Sequence, residues 1–265
     1  MGKVGSRIPP TAYGSGGILR VPWMKETTEL GSRIAEVHNG SSLFTGDAGQ
    51  GESNARRYMI ERDLVEAIVA LPNNMFYNTG IGTFVWILSN RKEERRRGKI
   101  QLIDATTLKS PLRKNLGNKN CEFTPEIRAQ IVGLYMDFKE NEYSKIFANS
   151  AFGYHKVTVL RPRYGEDGKP LKDKKGKLTP DAALTDTEQI PLDYESGIAA
   201  FIEKEVLPYA PDAWVDESKT QIGYEISFTK HFYKPVKLRE LSEIVADIRA
   251  LEKETEGLLA EVLGV

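Results

Sequence analysis

The sequence predicts an α/β fold, and its first hundred residues carry this prediction. Two short apolar runs, Val65–Leu71 and Ile81–Leu88, have the length and the β-branched and aromatic content of buried strands. A strand-like segment over Ser32–His38, a loop and a helix over Glu52–Glu61 precede them. Strand, loop, helix, strand is the order found in a parallel sheet covered by helices. We therefore expect such a sheet.

The loop between the two apolar runs is the first candidate site. It begins at Pro72 and carries two adjacent aromatics, Phe76 and Tyr77, among turn-forming residues. Two interpretations are open. Because most large aromatics are buried in cores, the rings can simply cap the core beneath the loop. Alternatively, they line a site at the ends of the two strands, where binding loops are common.

Further elements follow along the chain. Ile100–Asp104 is a short apolar strand, and Phe152–Leu160 ends in a strand-like segment. Thr124 and Pro125 have the residue types of a helix cap and a first helical position. Tyr194–Leu207 has the pattern of another helix. The residues that follow Pro125 at helical spacing and predict one apolar face are Ile127, Ile131, Leu134, Tyr135 and Phe138.

Three segments have no apolar period. Ser41–Ser53 is rich in glycine but lacks GxGxxG after a strand and lacks a P-loop lysine, so we interpret it as a loop rather than a phosphate cradle. Asn90–Lys99 is interpreted as a solvated turn, although its arginines Arg95–Arg97 could touch phosphate. Arg161–Pro180 is interpreted as an exposed hairpin or loop, whose lysines could likewise approach DNA.

The C-terminal segment from Lys237 to Val262 predicts a long helix with a heptad seam. The apolar positions recur at alternating spacings of three and four residues, with Thr255 as one polar interruption. The seam packs either on its own domain or against a partner helix. The seam residues are Leu241, Ile244, Ile248, Leu251, Leu258 and Val262.

Composition excludes several classes of protein. The chain has 37 basic and 37 acidic residues, which argues against a free-standing, non-specific DNA-binding protein. The single cysteine, Cys121, leaves no intramolecular disulfide, fits a reducing cytoplasm and is predicted to be a plain thiol. No apolar run is long enough for a transmembrane helix, and the N-terminus has no secretory signal. No metal site is predicted.

Two stretches of the chain carry a family resemblance. RIAEVHNGSSLFTGDAGQGESNARRYMIERD and LPNNMFYNTGIGTFVWILSN resemble the modification subunit of type I restriction–modification systems, and the likeness runs from about Gly31 to the C-terminus. That family consists of N6-adenine DNA methyltransferases that use S-adenosylmethionine. The resemblance implies that Phe76, with its neighbour Tyr77, stacks on a flipped-out adenine. It also implies that the C-terminal helix packs against a DNA specificity subunit in a complex that includes a restriction subunit.

Two motifs of the resembled family are missing from this chain. No predicted strand leads directly into the glycine-containing loop, Phe/Asp-x-Gly-x-Gly, that binds S-adenosylmethionine in that family. The single Pro-Pro pair, at Pro9 and Pro10, is flanked by Ile8 and Thr11 rather than by the amide or acid and the aromatic of the family's catalytic motif. We therefore predict no catalytic residue in this chain, no cofactor binding by the chain alone, and no activity alone.

These observations predict the C-terminal part of a Rossmann-like methyltransferase sheet, including an antiparallel pair that closes it. The leading function is the target-adenine side of a DNA N6-adenine methyltransferase. The alternative is a non-catalytic scaffold that docks a specificity subunit through its last helix. The expected divisions are a poorly ordered or foreign segment at 1–30, methyltransferase strands and helices at 31–160, a charged insert at 161–193, a mixed segment at 194–236 and the heptad helix at 237–265.

Overall fold

The computed structural model of the protein describes residues 31–233 and 239–263, with backbone alone at 254 and 256–263. The expectation for 1–30, and the side chains of Leu258 and Val262, lie outside the described residues. The described strands, in chain order, are β1 (Arg33–Asn39), β2 (Val65–Ala70), β3 (Thr83–Ser89), β4 (Lys99–Asp104), β5 (Ser110–Leu116), β6 (Lys119–Glu122), β7 (Ser144–Ala148), β8 (Gly153–Leu160), β9 (Asp186–Pro191) and β10 (Trp214–Tyr224).

The α-helices of the described residues vary from a single turn to more than six turns. Short 3₁₀ turns occupy Glu94–Arg96, Asn149–Phe152 and Ala182–Leu184, and a π-helical turn over Ile202–Val206 continues the fourth α-helix. The helices are α1 (Ser41–Phe44), α2 (Gly51–Glu61), α3 (Pro125–Asp137), α4 (Gly197–Phe201), α5 (Phe228–Phe232) and α6 (Leu241–Leu263).

The main sheet is mixed rather than parallel, which corrects the expectation from the sequence. Its order is β1-β3-β2-β4-β7, and only β2 and β4 are parallel neighbours. β3 is antiparallel to both β1 and β2, and β7 is antiparallel to β4. The connection from β2 to β3, residues 71–82, contains no helix to carry the chain across a face of the sheet, so the chain returns antiparallel beside β2. β3 also pairs with β1, so it lies between β1 and β2.

The structure confirms the predicted buried strand and the two predicted helices that pack on the main sheet. All six residues of β2 are buried. On one face, α2 contributes Met59 and Ile60, both almost fully buried, to the larger core cluster. On the other face, α3 packs through Ile131 and Leu134 over β2 and β4. Thr124 caps α3 as predicted, because its hydroxyl accepts a hydrogen bond of 3.3 Å from the backbone N–H of Ile127.

The prediction of a solvated turn over Asn90–Lys99 is wrong for two of its cations. Lys92 is buried and donates to the Asp63 carboxylate at 2.6 Å. Arg96 is almost fully buried and lies 3.6 Å from the carboxylate of Glu66, which is itself inaccessible. A buried charge needs a partner of opposite sign, and both cations have one.

The remaining strands form smaller sheets. β8 is the centre of an antiparallel sheet of order β10-β8-β9, and β5 pairs with β6 in a hairpin. β9 lies inside the segment predicted as a charged insert, 161–193. The helix expected at Tyr194–Leu207 begins at Gly197, after a turn in which Ser196 and Gly197 have left-handed φ angles of 66° and 73°.

The chain divides into a compact unit that ends at Phe232 and a second unit that begins at Tyr233. The described part of the second unit is dominated by α6. Four of its predicted seam residues are exposed, among them Leu241 at 75% and Leu251 at 60%. No described helix is both long and apolar enough to cross a membrane.

Candidate functional site

Three strands of the main sheet end at the same edge. β1 and β2 run in one direction because both are antiparallel to β3, and β4 is parallel to β2. Asn39, Ala70 and Asp104 therefore lie at neighbouring strand ends. In open α/β sheets, ligands bind beyond the carboxyl ends of the strands. The loop 71–82, which leaves β2 at this edge, occupies that position.

This loop exposes the two predicted aromatics and buries a different residue. Phe76 is 38% exposed and Tyr77 is 67% exposed, whereas Met75 is only 8% exposed. Asn74 and Asn78 flank them with left-handed φ angles of 59° and 55°, a conformation that asparagine tolerates better than most residues. Met75 thus holds the position over the core, and both rings face solvent.

The β5–β6 hairpin holds the backbone of this loop in place. The Cys121 thiol donates to the carbonyl oxygen of Asn73 at 3.5 Å and to that of Asn74 at 3.7 Å. The backbone N–H of Asn120 donates to the Asn74 carbonyl at 3.1 Å. The ammonium of Lys119 donates to the Met75 carbonyl at 3.0 Å. Three consecutive residues of β6 therefore satisfy three consecutive carbonyls just before Phe76.

The turn of the same hairpin also lies against Tyr77. Gly117 has a φ of 58°, and a Cβ at this position would lie 2.8 Å from Oδ1 of Asn78 and 3.1 Å from Cε2 of Tyr77. Glycine is therefore required here by both the backbone conformation and the approach of the loop. Sequence reasoning missed the hairpin contacts, since Cys121 was predicted to be a plain thiol and the contacts join residues from 39 to 48 positions apart.

An open cavity of about 430 Å³ borders the other end of the loop at Ile81 and Gly82. Phe44 and Phe84 contribute aromatic walls, and Glu225 is the acidic residue of the lining. Phe228 of α5 completes the wall, with its ring centroid 5.1 Å from that of Phe84. The sequence assigned no role to the segment that contains Phe228. The lining of this cavity is mainly apolar, as is common for small-molecule sites.

The chemistry available at this edge is binding by stacking and by apolar contact. Within residues 31–233 and 239–263, no three His, Cys, Asp or Glu side chains converge as a metal site. The Asp104 carboxylate at the strand end is occupied locally, because it accepts from the N–H of Thr106 at 3.0 Å and from its hydroxyl at 2.6 Å. The exposed rings of Phe76 and Tyr77 are therefore the groups of the loop best suited to meet a ligand.

Comparisons with known proteins agree on one family. The family model of the N-6 DNA methylases matches residues 20–153, so it begins before Gly31, where the resemblance was expected to start. The MjaVII type I restriction enzyme methylase subunit of Methanocaldococcus jannaschii is 38% identical over 74 residues, or 28% of this chain and 12% of that protein. The HindI methylase subunit of Haemophilus influenzae is 43% identical over 73 residues, or 28% of this chain and 16% of that protein. The matched segments thus span less than a fifth of these relatives.

Solved structures show weaker likeness. The methyltransferase subunit of a type I restriction–modification system from Streptococcus thermophilus is 21% identical, with a TM-score of 0.39, and the match covers 45% of this chain and 24% of that one. A modification subunit of a putative type I restriction enzyme from Vibrio vulnificus is 14% identical, with a TM-score of 0.40, over 60% of this chain and 29% of that one. At these scores the structures add nothing to the family match.

Proposed function

Because the chain belongs to the N-6 DNA methylase family, with relatives among the methylase subunits of type I restriction enzymes, we propose that it forms the target-adenine side of a DNA N6-adenine methyltransferase. The described main sheet is then the later part of a Rossmann-like methyltransferase sheet. The observation that carries the proposal is the exposed Phe76 ring on a loop whose backbone is clamped by a neighbouring hairpin. The working assembly would include DNA, a specificity subunit and a restriction subunit, in the cytoplasm.

An exposed aromatic ring on a loop held by hydrogen bonds is suited to bind a flipped-out base. An adenine extruded from the duplex loses its stacking neighbours, and an aromatic ring can replace that contact at roughly 1–3 kcal/mol per base. The ring must be held in position before the base arrives, since ordering a free loop would consume part of this energy. The hydrogen bonds from Lys119, Asn120 and Cys121 supply that order. Tyr77 beside it extends the aromatic surface.

The methyl donor of the family is S-adenosylmethionine, and the glycine-rich loop before α2 does not fit it. The glycine-rich loop before α2 is packed against side chains of the protein itself. A Cβ on Gly46 would lie 2.9 Å from Glu52, and one on Gly49 would lie 2.9 Å from Gln221. The loop therefore offers no open cradle. We expect the isolated chain neither to bind S-adenosylmethionine nor to methylate DNA, and micromolar binding in calorimetry would contradict this.

Phe76→Ala in the assembled methyltransferase complex tests the proposal. We expect methylation efficiency to fall by the equivalent of roughly 1–3 kcal/mol, because the base loses its stacking surface. The affinity of the complex for S-adenosylmethionine should be unchanged. Incorporation of labelled methyl groups into duplex DNA measures the first quantity, and calorimetry measures the second.

Tyr209→Ala is the matched control, because Tyr209 is an aromatic that is 86% exposed and lies outside the loop. It should methylate like the unaltered complex. If Phe76→Ala methylates normally while remaining folded, the ring does not stack on the base. If Phe76→Ala unfolds, the ring supports the core instead.

A second function, docking of a specificity subunit without catalysis, is favoured by α6. Leu241, Ile244, Ile248 and Leu251 recur at seam spacing, and all four are exposed. Burying a side chain of this size contributes about 1.5–3 kcal/mol, so the seam can hold a partner helix. In the sequence, Leu258 and Val262 continue the same pattern.

Ile248→Asp tests this docking. A charge in the seam would have to be desolvated without a cation, so we expect the variant to lose co-purification with the specificity subunit. Its thermal melt should be unchanged. Ala250→Asp introduces the same charge off the seam of the same helix and should still bind. Retained binding by Ile248→Asp with a normal melt would exclude the seam as the contact.

A further inference from the structure

The segment 161–180, called the basic arm from here on, is ordered by its own backbone. Three isolated β-bridges join Pro162 to Pro180, Tyr164 to Pro170 and Lys172 to Leu178. The arm turns at two glycines in the left-handed region, Gly168 with a φ of 72° and Gly176 with a φ of 77°. These bridges make the arm a three-segment meander that projects its side chains from defined positions.

The basic arm concentrates positive charge in a chain that has none in excess. It contains seven Lys and Arg residues against three Asp and Glu, whereas the whole chain has 37 of each. The rest of the protein is therefore net acidic. Such asymmetry within one chain marks the arm as a candidate for contact with a polyanion.

The acidic residues of the basic arm do not neutralise its cations. The carboxylate of Asp173 accepts from the backbone N–H groups of Lys175 at 2.8 Å and Lys177 at 2.9 Å, and Asp167 accepts from that of Lys169 at 3.1 Å. These carboxylates shape the turns. Within the described residues, the arm's cations without an ion-pair partner are all exposed and comprise Arg163, Lys169, Lys172, Lys174, Lys175 and Lys177.

We propose that the basic arm binds the phosphate backbone of duplex DNA without reading its sequence. Six exposed cations on an ordered meander suit the phosphate backbone, which carries closely spaced negative charge whatever the base sequence. Arg161, at the base of the arm, is held by Asp212 at 2.9 Å and anchors it to the rest of the fold. The proposal rests on the proposed function in taking DNA as the polyanion.

Salt-dependent binding of the full chain to a short labelled duplex tests the proposal, with fluorescence anisotropy as the measurement. Each phosphate contact contributes about 0.9 to the slope of log K against log salt concentration. In a triple variant carrying Lys172→Gln, Lys174→Gln and Lys177→Gln, the negative slope should decrease in magnitude by about 0.9 for each lysine that contacts a phosphate. Affinity at low salt should fall with it.

The control carries the same loss of charge elsewhere: Arg128→Gln, Lys139→Gln and Lys204→Gln, at three exposed positions outside the arm. It should keep the slope of the unaltered chain. Equal effects of the two triple variants, or no duplex binding by the unaltered chain at low salt, would overturn the proposal. Preferential binding of polyglutamate over duplex would also overturn it, since the arm would then suit an acidic protein. The assay measures no methylation, so its outcome is independent of the role proposed for Phe76.

Discussion

The substitution Arg96→Met probes the buried cluster of charges beneath the main sheet. The guanidinium lies 3.6 Å from Glu66 and donates to the side-chain oxygen of Gln101 at 3.1 Å. It also donates to the backbone carbonyl of Tyr135. The rings of Tyr135 and Phe138 lie on it at 4.4 and 4.3 Å from their centroids. One side chain therefore ties the turn before β4 to β2, β4 and the end of α3.

The expected loss of stability follows from the contacts that Arg96→Met removes. Methionine fills most of the volume but leaves the inaccessible Glu66 carboxylate with one fewer cation. Removing one partner of a buried ion pair costs about 3–5 kcal/mol of stability. Arg33 still donates to Glu66 at 3.0 Å, so we expect a loss near the lower end, about 3 kcal/mol.

The assay is urea unfolding followed by circular dichroism, with Arg97→Met as the control. Arg97 is the next residue in the same run of arginines, is exposed, and should change stability by no more than about 0.5 kcal/mol. Adding Glu66→Gln to Arg96→Met should recover part of the loss, because the uncompensated carboxylate is then absent. A loss below about 1 kcal/mol for Arg96→Met, or one equal to that of Arg97→Met, would refute the reasoning.

Two further predictions concern the aromatic loop and alkaline stability. Gly117→Ala should displace Asn78 and so speed amide hydrogen exchange in the loop 71–82. The control is Gly98→Ala, which also has a positive φ but has no atom within 4 Å of the added Cβ, so it should add only backbone strain. Equal exchange rates in the loop of both variants would contradict this prediction. Burial, with Glu61 beside the hydroxyl, raises the pKa of Tyr224 from 10.0 to about 12. The folded state therefore holds this proton more tightly, and its contribution to stability is present below pH 10.0 and lost as the pH rises to about 12. Between pH 10.0 and about 12, the free energy of unfolding of Tyr224→Phe, measured by urea titration, should fall less than that of the unaltered protein. An identical pH dependence of the two proteins would show that Tyr224 is not the group responsible.

Local patterns in the sequence were sufficient for β1 to β4, β8, α2 and α3, but they did not predict the β5–β6 hairpin, β9 or β10. The apolar run Val65–Leu71 predicted a buried strand, and β2 is buried throughout because α2 and α3 pack on opposite faces of the sheet. Thr124 and Pro125 predicted the start of α3, because a cap is a contact between residues three apart. The order of the strands in the sheet could not be predicted in this way, since no local pattern in Thr83–Ser89 indicates that β3 lies between β1 and β2.

The candidate site shows the same division. The sequence by itself determined that two aromatics, Phe76 and Tyr77, sit in a loop after a buried strand, and its similarity to N-6 DNA methylases determined the family. Only the tertiary structure decided that Cys121 holds this loop and that Arg96, rather than the arginine on either side of it, is buried. The reason is physical. Caps and apolar runs depend on contacts within a few residues. Glu66 and Tyr135 are brought to Arg96, and Asn73 to Cys121, by strand pairing and helix packing from 30 to almost 50 positions away.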